Sequence, residues 1–190
     1  MIIWLASYPK SGNTLIRSML SAYLYSQDGI FNFELLKKIY QFPDQKLFKN
    51  LGIDTDNELN VVKNYLKVQE EINKRDGKSV RFLKTHSSLN DINGHKFTNL
   101  ENTLGAIHIV RDPRDIMRSY ANQASISEEE AKNRILEIIT IGGKKDKKNK
   151  TVIHTGSWLT NYLSWKEFKK TNKYLLMRFE DLTSEPEKNF

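Results

Sequence analysis

Residues 8–14 read Y-P-K-S-G-N-T and concentrate groups that bind anions. Lys10 carries a full positive charge, and Gly12 lets the backbone pass close to a bound group. Hydroxyl and amide donors come from Ser11, Asn13 and Thr14. If a helix begins here, its unpaired N–H groups and the positive end of its dipole also favour an anion. The segment therefore predicts a phosphate-binding loop. The alternative is an ordinary capped helix start with Lys10 in solvent.

A second polar cluster, K-T-H at residues 84–86, follows a short apolar run. His86 is a candidate general base, since an imidazole with an unperturbed pKa of about 6.5 accepts protons in the physiological range. If His86 kept that pKa, an activity that depends on it would rise with pH near that value. A lone histidine after a strand is more often structural. Lys84 and the neighbouring anion-binding clusters favour a catalytic role for His86.

A third polar cluster, R-D-P-R-D-I-M-R-S at residues 111–119, follows the clearest buried strand. Arg111 leaves the strand end, and Ser119 lies two turns into a helix that Asp112 caps and Pro113 begins. A guanidinium fork suits phosphate oxygens, so Arg111 and Ser119 are candidates to hold one phosphate together. The alternative is an exposed helix whose charged side chains only pair with one another.

The elements that must position these clusters follow from periodicity. Apolar runs rich in β-forming residues predict strands at residues 2–6, 80–84, 104–110 and 174–179. Helical spacing and caps predict helices at residues 15–23, 33–40, 58–75 (with Gly77 at its end), 113–120, 127–141 and 158–169. Strands that alternate with helices predict an α/β fold around a parallel sheet. Ligands of such sheets bind outside the carboxyl ends of the strands, where all three polar clusters lie.

Composition narrows the function class. The 190 residues are 28% charged and 38% hydrophobic, as in an ordinary globular protein. The formal charge is +7, but five lysines less one aspartate at residues 144–150 supply +4 of it, so nucleic-acid binding is not predicted. The absence of cysteine excludes disulfides and thiolate zinc sites, and four scattered histidines make a metal site unexpected. With no signal-like or membrane-spanning apolar run, we expect a cytoplasmic protein.

Together the clusters resemble the motifs of sulfotransferases that use 3′-phosphoadenosine 5′-phosphosulfate (PAPS). Residues 8–14 are similar to the family loop Y-P-K-S-G-T-T, with Asn13 for the first T, and Leu15 follows where the family usually has Trp. The K-T-H cluster resembles the family motif K-x-H. Residues 111–119 resemble the 3′-phosphate motif R-x-P-R-D-x-x-x-S.

The C-terminal part carries further resemblance. Residues 156–158 (G-S-W), Trp165 and residues 178–182 (R-F-E-D-L) are similar to the family patterns G-S-W, W and R-Y-E-D-L. Phe179 replaces a tyrosine that in the family meets the nucleotide. The sequence stops at Phe190, before the family's usual R-K-G segment. We therefore expect residues 1–190 to be a single sulfotransferase-like domain that is incomplete at its C-terminus.

The resemblance implies a P-loop-like three-layer α/β sandwich that transfers a sulfuryl group from PAPS to an acceptor hydroxyl or amine, without a metal. It implies that His86 is the base, that Lys10 stabilises the leaving oxygen and that Lys84 holds sulfuryl oxygens. The 5′-phosphate would be held by Lys10, Ser11, Gly12, Asn13 and Thr14. Contacts to the rest of the nucleotide, including its 3′-phosphate, would come from Arg111, Ser119 and Phe179.

The acceptor is expected to be a small molecule or a lipid, and its identity is not readable from these residues. Candidate walls for it are the aromatic segment at residues 31–48, which could equally be core, and the lysine-rich residues 144–150. A non-catalytic binder of phosphorylated nucleotides is one alternative function. A P-loop kinase is a weaker one, since its motif has Lys after the second glycine. Here Lys10 precedes the only glycine of the loop.

Overall fold

The structure is a computed structural model that describes residues 1–75, 80–143 and 151–190. The lysine-rich segment at residues 144–150 and the helix end expected at Gly77 lie outside these residues. The strands of the described chain are β1 (Ile2–Ser7), β2 (Arg81–Thr85), β3 (Thr103–Val110), β4 (Ile139–Gly142), β5 (Val152–Gly156) and β6 (Tyr174–Arg178).

The α-helices of the same residues are α1 (Asn13–Tyr25), α2 (Gln45–Lys49), α3 (Glu58–Lys63), α4 (Tyr65–Lys74), α5 (Pro113–Ala124), α6 (Glu128–Leu136), α7 (Trp158–Lys166), α8 (Phe179–Ser184) and α9 (Pro186–Asn189). Two 3₁₀ helices, Phe33–Lys38 and Glu167–Thr171, complete the described elements. None of the helices in the described residues is long and apolar enough to cross a bilayer.

A four-stranded parallel sheet with the spatial order β2-β1-β3-β6 forms the centre of the fold. Ala6 of β1 lies opposite Thr85 of β2 on one side and His108 of β3 on the other. The segments that follow these three strands therefore leave the sheet side by side at one edge. The predicted convergence of the three polar clusters is confirmed at the level of the fold.

The two faces of the sheet bury separate cores, because successive side chains of a strand point to opposite faces. On one face Trp4 is fully buried among the rings of Phe42, Phe97 and Trp165, with centroid separations of 5.5, 5.1 and 6.5 Å. The opposite face packs Leu5 of β1 against α1 and α8. Helices thus cover both faces, which confirms the predicted three-layer α/β sandwich.

The aromatic segment at residues 31–48 is largely core rather than a wall beside the phosphate loop. Phe42 and Phe48 are fully buried in the cluster around Trp4. Phe33, by contrast, is 78% exposed. The helix predicted at residues 33–40 is the 3₁₀ helix Phe33–Lys38.

Two predicted helices are wrong in extent. The helix predicted through residue 141 ends at Leu136, and β4 follows and pairs antiparallel with β5, neither of which was predicted. The β-branched residues of I-I-T-I at 138–141 favour a strand once a partner is available. The helix predicted at residues 58–75 is broken at Asn64. The side-chain nitrogen Nδ2 of Asn64 donates to the backbone oxygen of Asn60 at 2.7 Å. Such local bonds compete with helix continuation.

The indole N–H of Trp4 needs its partner, Thr103 Oγ1 at 2.9 Å, because both groups lie in the core. We expect Thr103→Val to lower the free energy of unfolding by about 1–3 kcal/mol, the cost of leaving a buried donor unpaired. Urea denaturation measures this difference. The matched control is Thr140→Val, at an exposed strand position. Equal stability of the two variants would contradict the role of this bond.

Candidate active site

The loop between β1 and α1 is built around two residues in the left-handed region. Lys10 has φ 69° and Gly12, the residue before α1, has φ 93°. Within the described residues no side chain caps the start of α1. The first N–H groups of a helix have no intrahelical partner, so this helix start offers free donors to an anion. The alternative of an ordinary capped helix is therefore not what forms here.

Gly12 is packed against the ring of Phe179, the first residue of α8. A Cβ atom added at position 12 would lie 2.2 Å from Phe179 Cδ2, well inside van der Waals contact. On the ring of Phe179 lies the guanidinium of Arg111, whose Cζ is 4.4 Å from the ring centroid. Arg111 Nη1 donates to Lys10 O at 3.2 Å. The loop, Phe179 and Arg111 thus form one stack.

A pocket of about 690 Å³ opens beside this stack at the carboxyl edge of the sheet. Its lining is Pro9, Lys10, Gly12, Asn13, Thr14, His86, Arg111, Ser119, Tyr120, Gln123, Ala124, Ile141 and Phe179. The structure therefore brings most of the predicted site residues to one cavity. No residue of the segment 31–48, the candidate acceptor wall, belongs to this lining.

Two predicted site residues do not line the pocket. Ser11 is 1% exposed, and it lines a separate cavity of about 10 Å³ together with Tyr8 and Asn161. Lys84 is directed towards Gln41, with its Nζ donating to Gln41 Oε1 at 3.0 Å. Burial, together with the positive charge of Arg17, lowers the Lys84 pKa to about 8.

His86 lies at the pocket with one side of its ring anchored. Its Nδ1 is 2.8 Å from the backbone oxygen of Ser7, and its own backbone oxygen accepts from Asn161 Nδ2 at 3.0 Å. Burial, and then the charge of Lys84, hold the His86 pKa well below its usual value, while the bond to Ser7 opposes this shift. Both causes favour the neutral form of the ring. The rise in activity near pH 6.5 that an unperturbed ring would give is not expected.

Asn13 lines the pocket, but its amide donors are turned towards β1. Its Nδ2 donates to Leu5 O at 3.0 Å and to Ser7 Oγ at 3.1 Å. With both donors used inside the protein, the side chain adds no free amide N–H to the pocket. A bound anion would meet the backbone of Asn13 instead.

Sequence reasoning missed the residues that support His86. Ser7 is the last residue of a strand that was otherwise apolar, and Asn161 is a fully buried amide on α7. Asn161 falls on the same helical face as Trp165, whose Nε1 donates to Ser87 O at 2.8 Å. In the sequence, the polar Asn161 on a helix face that is otherwise buried was the signal that could have indicated this supporting role.

Comparison with known proteins agrees with this geometry. A family model described as the sulfotransferase domain matches residues 2–190. The chain belongs to the sulfotransferase family. A search of curated proteins found no match.

Solved structures with the same fold include a mouse sulfotransferase, SULT7A1, complexed with PAP. It is 19% identical, the match covers 97% of this chain and 53% of that chain, and the TM-score is 0.54. Retinol dehydratase in complex with androsterone and the inactive cofactor PAP is 14% identical, with 97% and 55% covered and a TM-score of 0.51. The chain thus spans about half the length of these structures. At these identities the likeness shows the fold.

The buried setting of His86 predicts its titration. In ¹⁵N-histidine NMR spectra, with the signal assigned by His86→Gln, the ring should remain neutral when the pH falls through 6.5, because burial and Lys84 disfavour the charged form. Lys84→Met should raise the His86 pKa, since it removes a repelling charge. Lys37→Met, at a lysine whose side chain is 74% exposed, is the matched control. A wild-type midpoint near 6.5 would show that the ring is not buried as described.

Proposed function

We propose that this chain transfers a sulfuryl group from PAPS to an acceptor hydroxyl or amine. The observation that carries the proposal is the convergence, in one pocket, of an uncapped helix start, two cations and a neutral imidazole. Membership of the sulfotransferase family supports the same activity. PAPS, when bound, supplies the sulfuryl group, and the protein supplies binding, charge and a base.

The 5′-phosphate would lie at the start of α1. Backbone N–H groups near Gly12 and Asn13 face no internal cap there, and Thr14 adds a hydroxyl at the pocket. Gly12 has no side chain to keep the phosphate away from the backbone. Lys10 lines the same pocket and would neutralise the oxygen that leaves with the phosphate. Ser11 would contribute through its backbone, because the residue is buried outside the pocket lining.

The 3′-phosphate would be held by Arg111 and Ser119, which both line the pocket. Arg111 Nε is buried without a hydrogen-bond partner among the described residues. An unpaired buried donor is costly, so a phosphate oxygen there would be favourable. Phe179 lines the same pocket and would contact the nucleotide with the part of its ring that Arg111 and Gly12 leave open. Leu15, which stands where the family usually has Trp, is outside the pocket lining.

In the proposed reaction His86 accepts the proton of the acceptor hydroxyl or amine as that group forms its bond to sulfur. The bond between sulfur and the 5′-phosphate oxygen breaks, and adenosine 3′,5′-bisphosphate (PAP) leaves. Lys84 donates one of its three N–H groups to Gln41, so two are left that could bind sulfuryl oxygens. Its contact with the sulfuryl group stays a prediction, because Lys84 is not part of the pocket lining.

The proposal includes residues 1–190 as a single domain, which the uninterrupted family match supports. It also includes a small-molecule or lipid acceptor. In the comparison structures retinol dehydratase is complexed with retinol or androsterone, which are small molecules. A cytoplasmic location stays a prediction from the sequence. The kinase alternative is not favoured by the family match.

Ligand choice tests the two phosphate sites. PAP should raise the melting temperature more than AMP at equal concentration, since stabilisation follows RT ln(1 + [L]/Kd) and PAP adds the 3′-phosphate contact. Arg111→Ala should remove most of the difference between the two nucleotides. Arg118→Ala, at an exposed arginine of α5, the helix that follows Arg111, should preserve it. Thermal-shift titrations measure both effects, and equal shifts by PAP and AMP in the wild type would refute the 3′-phosphate assignment.

Two substitutions separate the base from the phosphate loop. His86→Ala should lower kcat by about 10²–10⁴-fold, the usual contribution of a general base. It should leave the PAP thermal shift nearly intact, because the base acts on the acceptor. Lys10→Ala should weaken PAP binding and also lower kcat by roughly 10²–10³-fold, as for loss of one preorganised donor. His95→Ala is the control histidine.

Sulfuryl transfer to a panel of alcohols and amines, with PAPS as donor, measures these effects. Normal turnover by His86→Ala would overturn the assignment of the base. A wild-type chain that binds PAP tightly and transfers to no acceptor would favour the non-catalytic alternative.

A further inference from the structure

A buried chain of hydrogen bonds joins the start of α1 to the ring of His86. Asn13 Nδ2 donates to Ser7 Oγ at 3.1 Å, and Ser7 Oγ lies 3.2 Å from His86 Nδ1. Ser7 is fully buried and Asn13 is 5% exposed. Water therefore does not compete for the bond between Asn13 and Ser7, which makes its geometry more constraining than that of an exposed bond.

The partners of Nδ1 determine which nitrogen of His86 carries the proton. The backbone oxygen of Ser7, 2.8 Å from Nδ1, can only accept a hydrogen bond. Nδ1 must then be the donor, and in the neutral ring Nε2 is left without a proton. Nε2 is thus the nitrogen that can accept a proton from a group in the pocket.

The side chain of Asn13 binds the end of β1 at two residues, Leu5 and Ser7. Its Nδ2 donates both to Leu5 O and to Ser7 Oγ, and so bridges the last three residues of β1. An amide has two N–H donors, whereas the threonine of the family pattern would offer one hydroxyl hydrogen. Asn13 is therefore suited to fix the position of Ser7 against His86.

We propose that Asn13 is a positioning residue that orients His86 and selects its Nδ1–H tautomer through Ser7. The proposal rests on the proposed function only in naming His86 as the base. It adds a hydrogen-bonded connection between the phosphate loop and that base, because Asn13 begins the helix whose first N–H groups would hold the 5′-phosphate. Asn13 then acts through its neighbours, and its side chain need not touch PAPS.

The first test is spectroscopic and does not depend on turnover. In ¹⁵N-histidine NMR spectra at pH 7, wild-type His86 should show a protonated Nδ1 and an unprotonated Nε2. Asn13→Ala should shift both ring signals towards a mixture of the two tautomers, because Ser7 is no longer held. Ser21→Ala, which also removes a buried hydrogen bond of α1, is the control and should leave the His86 signals unchanged. A protonated Nε2 in the wild type would overturn the proposal, as would identical spectra of the wild type and Asn13→Ala.

The second test is kinetic. Asn13→Ala should lower kcat by about 10- to 100-fold, the loss expected when a reacting group is misplaced by a fraction of an ångström to an ångström. The Kd for PAP should change little, since the amide is turned away from the pocket. Ser7→Ala is a smaller change that serves if Asn13→Ala does not fold. It should shift the same NMR signals, though less, because Asn13 still donates to Leu5 O and holds the end of β1.

The double variant Ser7→Ala/Asn13→Ala decides whether Asn13 acts through Ser7. If it does, the two losses in kcat should be less than multiplicative. Fully multiplicative losses, or a loss in PAP affinity as large as the loss in kcat, would overturn the positioning role. If the wild type shows no sulfuryl transfer but its spectra behave as expected, the proposed function fails while the tautomer control by Asn13 stands.

Discussion

The unpaired N–H groups at the start of α1 impose the main constraint on this structure. They follow the end of β1, a central strand with neighbours on both sides. No side chain of the described residues caps them. The left-handed backbone at Lys10 and Gly12 brings the loop close enough for a small anion to reach them. A protein that leaves such donors free needs either water or a ligand there. The other site residues are arranged around that requirement.

The electrostatics of the pocket follow from the same anion site. Lys84 and Arg17 are both buried positive groups near His86, and they disfavour a second charge on its ring. The surrounding positive charge thus favours the neutral ring of His86, whereas a neighbouring carboxylate would favour the charged ring. A bound anion would oppose these cations, so binding of the donor and the basicity of His86 should increase together.

Local signals made the loop before α1 and the helix at Pro113 predictable, because strand ends, helix starts and polar clusters lie within a few residues of each other there. Long-range contacts were not predictable in the same way. The partner of Gly12 is Phe179, and the support of His86 comes from Asn161 on α7. Nothing near those positions in the sequence specifies the pairing. The direction of the Asn13 amide was missed for the same reason, since it depends on where β1 ends in space.

The stack of Arg111 on Phe179 on Gly12 also bears on how the site assembles. It joins the first loop of the chain to a residue that directly follows β6, an edge strand with β3 as its sole partner among the described strands. A contact between such distant parts of the sequence has a larger loop-closure cost than a local one. Edge strands also open locally at lower free energy than central ones. Transient detachment of β6 would therefore open the pocket beside Phe179 while the core around Trp4 stays folded, and amide exchange would be fast in β6 and slow in β1.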